Sequence, residues 1–285
     1  MPFAHVPGRA LVSVTGAEAT HFLQNLVTTD METLREGEIR PGALLTPQGK
    51  ILFSFLVSRA NGGFALECDG GIAEDFARRL MLYKLRAKVD ISVKNPAPVH
   101  VCWGVDSPGS QDDSSLWLAD ARFPNEARVW RIHGPVATDG DLAGFDAVRI
   151  AHGIAEAGRD YADGDAFPHD AGLDQTGGVS FRKGCYVGQE VVSRMQHRGT
   201  ARRRIVIVTA DGALPPEGSD LLADGKPAGR LGTVSGRTGL ALVRIDRVAE
   251  ALATDGAVTA EGIALAIAVP PGASYALAPS ASQDD

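Results

Sequence analysis

Lys183-Gly184-Cys185-Tyr186-Val187-Gly188-Gln189-Glu190 sets one thiol between two glycines, just ahead of a segment with helical periodicity. Glycine reaches backbone conformations closed to other residues, so Gly184 and Gly188 allow a tight turn that presents Cys185 rather than packing it into a regular element. Downstream, Gln189 to His197 reads as a short amphipathic helix. Val191, Val192 and Met195 fall on one side, Arg194 and Arg198 stand four apart, and Gly199 is placed to end it. Backbone N–H groups at the helix start, with Arg182 and Lys183, favour thiolate over thiol, while Glu190 opposes them. Two readings of Cys185 stay open on these grounds: a nucleophilic or metal-binding thiolate, and a buried cysteine acting as a small hydrophobe.

As a whole, KGCYVGQE resembles the signature of the YgfZ-type folate-binding proteins, relatives of the aminomethyltransferase of the glycine cleavage system. The resemblance extends upstream through Gly177-Gly178-Val179-Ser180-Phe181-Arg182 and downstream through Arg194 and Arg198-Gly199. It also reaches Phe22-Leu23-Gln24-Asn25-Leu26-Val27-Thr28-Thr29-Asp30 near the N-terminus. It implies an α+β, glycine-cleavage T-protein-like fold: two mixed α/β units plus a C-terminal small β-barrel around a central folate-sized cavity. Residues 1–46 and 133–200 would form a discontinuous first unit, 47–132 an inserted second, 201–275 the barrel and 276–285 a disordered tail.

The same resemblance implies a folate-binding accessory protein for assembly or repair of iron–sulfur clusters in client enzymes. Tetrahydrofolate or a one-carbon derivative is the implied cofactor, with Asn25, Thr28, Asp30, Arg149 and Arg198 as its contacts, and no intrinsic metal is expected. Iron–sulfur client enzymes or cluster-assembly proteins are the implied partners. Cys185 would handle a cluster, a persulfide or a client. Lys183 and Arg194 would set its electrostatics, with Gly184, Tyr186, Gly188, Gln189 and Glu190 supporting the motif. The glycine-cleavage transferases carry an acid on the strand after the first hairpin and another in the helix before the motif. Here Gly49 to Phe55 holds no carboxylate, Ala151 stands at the second place, and the cysteine motif lies where the transferases tend to carry Asp. General-base help is worth roughly a hundred- to ten-thousand-fold. An aminomethyl- or methyltransferase therefore needs a relocated carboxylate such as Asp30, Glu156 or Asp174. That is the alternative function, and a non-catalytic folate scaffold with a structural Cys185 is the second.

Composition sets outer limits. With 285 residues, 44% hydrophobic and 22% charged, the chain can bury a substantial core, and no apolar run approaches the roughly 20 residues a membrane helix needs. Met1 to Arg9 shows no basic segment followed by an apolar core, from which a cytoplasmic location is expected; a monomer is expected as well. Cys68 and Cys102 lie in strand-like settings and read as packed, reduced thiols. A net charge of −7 argues against general nucleic-acid binding. Arg194, His197, Arg198, Arg202, Arg203 and Arg204 form a basic run that reads either as a rim for a glutamate tail or acidic partner, or as a solvated cluster. The histidines lack metal-ligand spacing, and His197 reads as a surface residue.

Periodicity predicts helices near 17–27, 72–86 and 145–152, and strands at 10–14, 43–46, 51–58, 64–68, 89–93, 99–103 and 127–133. Thr15 is expected to cap the first helix, and Pro47-Gln48-Gly49 to form a hairpin turn. Asp106 to Ser115 reads as an exposed loop. From residue 205, short apolar runs at 205–208, 230–234, 240–245 and 263–269 have the spacing of a small all-β barrel.

Overall fold

The computed structural model describes residues 3–106, 115–138 and 140–277. The core of the expected loop at 107–114 and the tail from 278 onward lie outside those residues. The chain divides into two compact units, Met1–Phe145 with Thr176–Ser193, and Asp146–Gln175 with Arg194–Asp285.

In the first unit nine strands make one sheet. They are β1 (Phe3–His5), β2 (Arg9–Thr15), β3 (Glu38–Leu45), β4 (Ile51–Ala60), β5 (Gly63–Asp69), β6 (Asp90–Lys94), β7 (Val99–Cys102), β8 (Leu116–Asp120) and β9 (Trp130–His133). Their spatial order is β1-β7-β9-β8-β3-β4-β5-β2-β6. All neighbours run antiparallel except β3 with β8. The strands form where apolar residues alternate. In β2, Ala10, Val12 and Val14 are buried while Arg9, Leu11 and Ser13 are half-buried, the period of two that puts one face on a core.

Two helices, α1 (Ala19–Gln24) and α2 (Ala73–Lys84), seal that core. In α2 the buried Ala73, Phe76, Ala77 and Leu80 recur at helical spacing, and Phe76 stacks on Phe53 and Phe55 of β4 at 5.1 and 5.4 Å. Thr15 does not cap α1. The cap position is Glu18, which makes no side-chain cap bond; its carboxylate instead accepts the N–H of Lys88.

The sheet curls until β5 meets β9, four places away in the strand order. There Glu67 Oε1 lies 3.0 Å from both Arg9 Nε and Arg131 Nη2, and Oε2 lies 3.0 Å from His133 Nε2. Burial works to raise the Glu67 carboxyl, but Arg131, Arg9 and His133 overcome it and hold the group well below the usual glutamate value.

The second unit carries β10 (Arg203–Thr209), β11 (Asp220–Ala223), β12 (Lys226–Ser235), β13 (Thr238–Arg244), β14 (Val258–Ala260), β15 (Ile263–Ala264) and β16 (Ala266–Ala268). They lie in the order β15-β14-β11-β12-β13-β10-β16 as an antiparallel barrel sheet. Helix α3 (Leu142–His152) precedes this part of the chain, followed by α4 (Gln189–Arg198) and then α5 (Ile245–Ala253). Helix α5 buries Val248 and Ala251 in one core with Val206, Val208, Leu221 and Val243. The predicted barrel strands are present, while β11, β14 and α5 are additions. Arg149 of α3 is fully buried. It lies 3.1 Å from Asp160 and 2.8 Å from Asp146, and it donates to Thr233 Oγ1 and the Ile154 carbonyl.

Candidate functional site

Among the three cysteines only Cys185 is exposed; Cys68 and Cys102 are buried, and burial pushes the Cys102 thiol up to about 11. The exposed thiol sits on backbone fixed from several directions within the first unit. Lys183 Nζ donates to the carbonyls of Val27 and Thr29, 2.8 Å from each, and lies 5.3 Å from the ring centre of Tyr186. Burial lowers the Lys183 ammonium to about 8, against the pull of Asp30 and Glu32. Its charge is therefore spent on backbone oxygens and an aromatic face rather than turned wholly toward the thiol. Tyr186 is buried, its hydroxyl has no hydrogen-bond partner among the described residues, and burial raises the phenol to about 12.

Thr28 supplies the second tie. Its Oγ1 donates to Gly178 O at 2.6 Å and accepts from Ala43 N–H at 3.0 Å, while its carbonyl accepts the Ser180 N–H. The Ser180 hydroxyl in turn accepts from the Lys183 N–H at 3.2 Å. A third contact comes from the hairpin turn between β3 and β4, which closes with Gly49 N–H on Thr46 O. Gly188 has φ +79°, and a Cβ there would stand 2.5 Å from Thr46 O and 3.1 Å from Gly49 Cα. Side chains rarely adopt that φ, and the two backbones are too close for one, so only glycine fits. Gly184 is not in this region of φ, and a Cβ on it would meet nothing within 4 Å. Between the two expected turn glycines, the structural demand falls on Gly188.

Gln189 and Glu190 open α4, Arg194 and Arg198 are exposed along it, and Gly199 (φ +61°) ends it as the spacing predicts. Asn25 is exposed and its amide donates to His21 O; Asp30 Oδ1 accepts from Gln24 Nε2 and Glu32 N–H. Thr28 and Arg149 are fully buried, the Thr28 hydroxyl engaged inside the fold and both Arg149 Nη atoms held by Asp146, Asp160, Thr233 and the Ile154 carbonyl. Two of the five residues expected to contact folate thus do not fit that role. The carboxylates considered for a relocated transferase acid are also engaged. The Asp174 carboxylate is buried 2.9 Å from Arg204, and Glu156 lies 3.8 Å from Arg149. Within the basic run, Arg203 pairs with Asp165 and Asp170, and Arg204 is buried on Asp174 and the His169 carbonyl. Sequence reasoning did not find the Thr29 carbonyl or the Thr46–Gly49 turn as parts of the site. The only trace of them is that residues 22–30 and 177–190 carry the same resemblance.

A curled sheet with a following β-barrel unit is the architecture of the glycine-cleavage aminomethyltransferases. The crystal structure of glycine cleavage system aminomethyltransferase T from Bartonella henselae superposes with a TM-score of 0.73, covering 94% of this chain and 84% of that one at 18% identity. The chain therefore has the aminomethyltransferase T fold. Residues 202–275 match the CAF17 C-terminal beta-barrel domain. The chain is 31% identical to the mitochondrial iron-sulfur cluster assembly factor IBA57 of Mus musculus, over 85% of this chain and 77% of that protein. It is 32% identical to the Homo sapiens protein of the same name, over 92% and 83%. It belongs to the IBA57 iron-sulfur cluster assembly factor family, which is related to the YgfZ proteins. These relatives are mitochondrial, which overturns the cytoplasmic location expected from the sequence. That expectation rested on the pattern of Met1 to Arg9, which does not carry the compartment.

Proposed function

We propose that this chain assists assembly or repair of iron–sulfur clusters in client enzymes, and that the Cys185 sulfur makes the decisive contact. The observation that carries this reading is an exposed thiol on a segment pinned by Lys183, Thr28 and Gly188. It is supported by relatives named as iron-sulfur cluster assembly factors. A thiolate is a soft ligand suited to iron of a cluster. Among the described residues no group of three or more His, Cys, Asp or Glu side chains is placed to hold a metal. Cys185 would then supply one ligand, and the partner that brings or receives the cluster the others. The thiol proton leaves to solvent, the sulfur replaces one ligand on an iron of the cluster, the displaced ligand stays with the partner and takes up a proton from solvent, and no electron is transferred in that exchange. Rigid presentation serves this role because a ligand already in place loses little freedom on engagement.

Since Thr28 and Arg149 do not fit folate contacts, no step of this proposal passes through folate, and tetrahydrofolate enters only as an arm of the test. Purified wild type and Cys185→Ser are compared under anaerobic conditions for restoring activity to a cluster-depleted iron–sulfur enzyme, with and without tetrahydrofolate. Restoration by wild type alone is expected. Equal restoration by Cys185→Ser overturns the role of the thiol, and failure of both overturns the assembly reading. Dependence on tetrahydrofolate would return folate to the mechanism.

A further inference from the structure

Helix α2 bears two apolar stripes. The first, described above, is buried against the sheet. The second consists of Met81 and Leu82 and continues into Leu85 just past the helix end; the three are 51%, 67% and 89% exposed. Leu82 stands about 200° around the helix from the buried Leu80, at 100° per residue, so the second stripe faces away from the core. Leu85 follows the helix with φ +43°, an uncommon backbone region for a leucine. Large exposed apolar side chains clustered on one helical face mark interaction sites, whereas scattered ones do not.

The charge around them points to the partner. Residues 76–89 hold Arg78, Arg79, Lys84, Arg86 and Lys88 and not one carboxylate, in a chain whose net charge is −7. Arg78 reaches Asp75 at 3.0 Å and Lys84 reaches Asp90 at 4.0 Å, both of them solvent-facing pairs of small worth. Among the described residues Arg79 and Arg86 have no acidic partner, and both are exposed. An apolar centre with an arginine rim is the anatomy of a protein interface, and although Asp75, Asp90 and Glu18 stand at its margins, the excess of positive charge on the rim selects a partner of opposite sign. A lipid surface fits less well, because the face of α2 that would have to sink into the bilayer interface carries three apolar residues and no aromatic belt.

We propose that the outward face of α2 and the turn after it, Met81, Leu82 and Leu85 ringed by Arg79, Arg86 and Lys88, docks a protein that offers an apolar anchor within an acidic surface. None of these residues belongs to the Cys185 segment, and the test does not depend on what the thiol does.

The test titrates the full chain carrying Cys185→Ser against a labelled helical peptide of leucine and glutamate, a copy with glutamine in place of glutamate, and vesicles of phosphatidylcholine with phosphatidylserine. Arg79→Glu/Arg86→Glu and Leu82→Ser/Leu85→Ser are each expected to weaken binding of the acidic peptide about tenfold, and the glutamine copy to bind about tenfold less well. Arg230→Glu/Arg247→Glu, the same charge change on the exposed barrel surface, is expected to alter binding by less than about twofold. Arg79, Arg86, Leu82 and Leu85 are exposed, so thermal melting of those variants should match the parent; Arg230 and Arg247 donate to the carbonyls of Gly218 and Pro227, so their variant is compared at a temperature where its melting curve shows it folded. Three results overturn the proposal: no binding of the acidic peptide, equal losses in the barrel control, or binding to the vesicles but not to the peptide.

Discussion

Lys183 Nζ holds the carbonyl of Thr29 at 2.8 Å, and that of Val27 at the same distance, so the cysteine segment is tied to a turn 154 to 156 residues earlier. A compact ammonium can donate to two backbone oxygens at once, which a planar guanidinium does with a different geometry. Replacing Lys183 with Met recovers the cost of burying a charge while stranding two acceptors. These effects oppose each other, and the unfolding free energy is expected to move by no more than ~1 kcal/mol. Local order is the more sensitive readout. Amide exchange at residues 184–187 should quicken, and cluster-restoring activity should fall although Cys185 still reacts with an alkylating reagent. Unchanged exchange in that segment would show that Lys183 does not hold it.

The two glycines flanking Cys185 separate backbone demand from mere smallness. Gly188→Ala puts a methyl group 2.5 Å from Thr46 O at φ +79° and is expected to cost about 1–3 kcal/mol in urea unfolding while shifting the β3–β4 turn. Gly184→Ala meets nothing within 4 Å and should be neutral or slightly stabilising, by up to about 1 kcal/mol, through the unfolded chain. Equal destabilisation by the two would mean that the contact with the turn is not what fixes Gly188.

What could be read along the chain was whatever local residue type determines. KGCYVGQE marked the exposed thiol, Gly199 marked the end of α4, and the alternation in β2 and the stripe of α2 marked buried faces. Partners of Lys183 could not be read this way, because a backbone carbonyl carries no residue-type signal and these two lie far off in sequence. Strands β11 and β14, four and three residues long, are too short for a period of two to show. Helix α5 directly follows β13, and the predicted strand at 240–245 ran one residue into it. Glu67 left a visible trace, a carboxylate inside the apolar run Phe64 to Cys68, but its answering residues Arg131 and His133 meet it only when the sheet curls.

Arg149 is the residue whose expected and observed roles differ most. Burial opposes its charge, yet Glu156, Asp160 and Asp146 hold the guanidinium above its ordinary value. Arg149→Met leaves the buried Asp160 uncompensated and is expected to destabilise the barrel unit by ~3–5 kcal/mol. Asp160→Asn keeps a hydrogen-bonding side chain and should cost less. If Arg149→Met instead melts like wild type while tetrahydrofolate affinity drops, the residue is a ligand contact after all.

Glu67 makes the acid limb of stability readable. Its native carboxyl titrates below the ordinary value of 4.5, so across that interval the unfolded chain binds the extra proton. The contribution is therefore fully present above about 4.5 and is lost as pH falls from there toward the native value. Glu67→Gln removes this dependence and leaves Arg131, 1% exposed, facing a neutral amide, at an expected cost of ~3–5 kcal/mol near neutrality. Urea unfolding at stepped pH should show wild type losing stability below pH about 4.5 with a steeper slope than the variant, the two curves converging in acid. Parallel slopes would mean that the closure of β5 on β9 does not depend on the charge of Glu67.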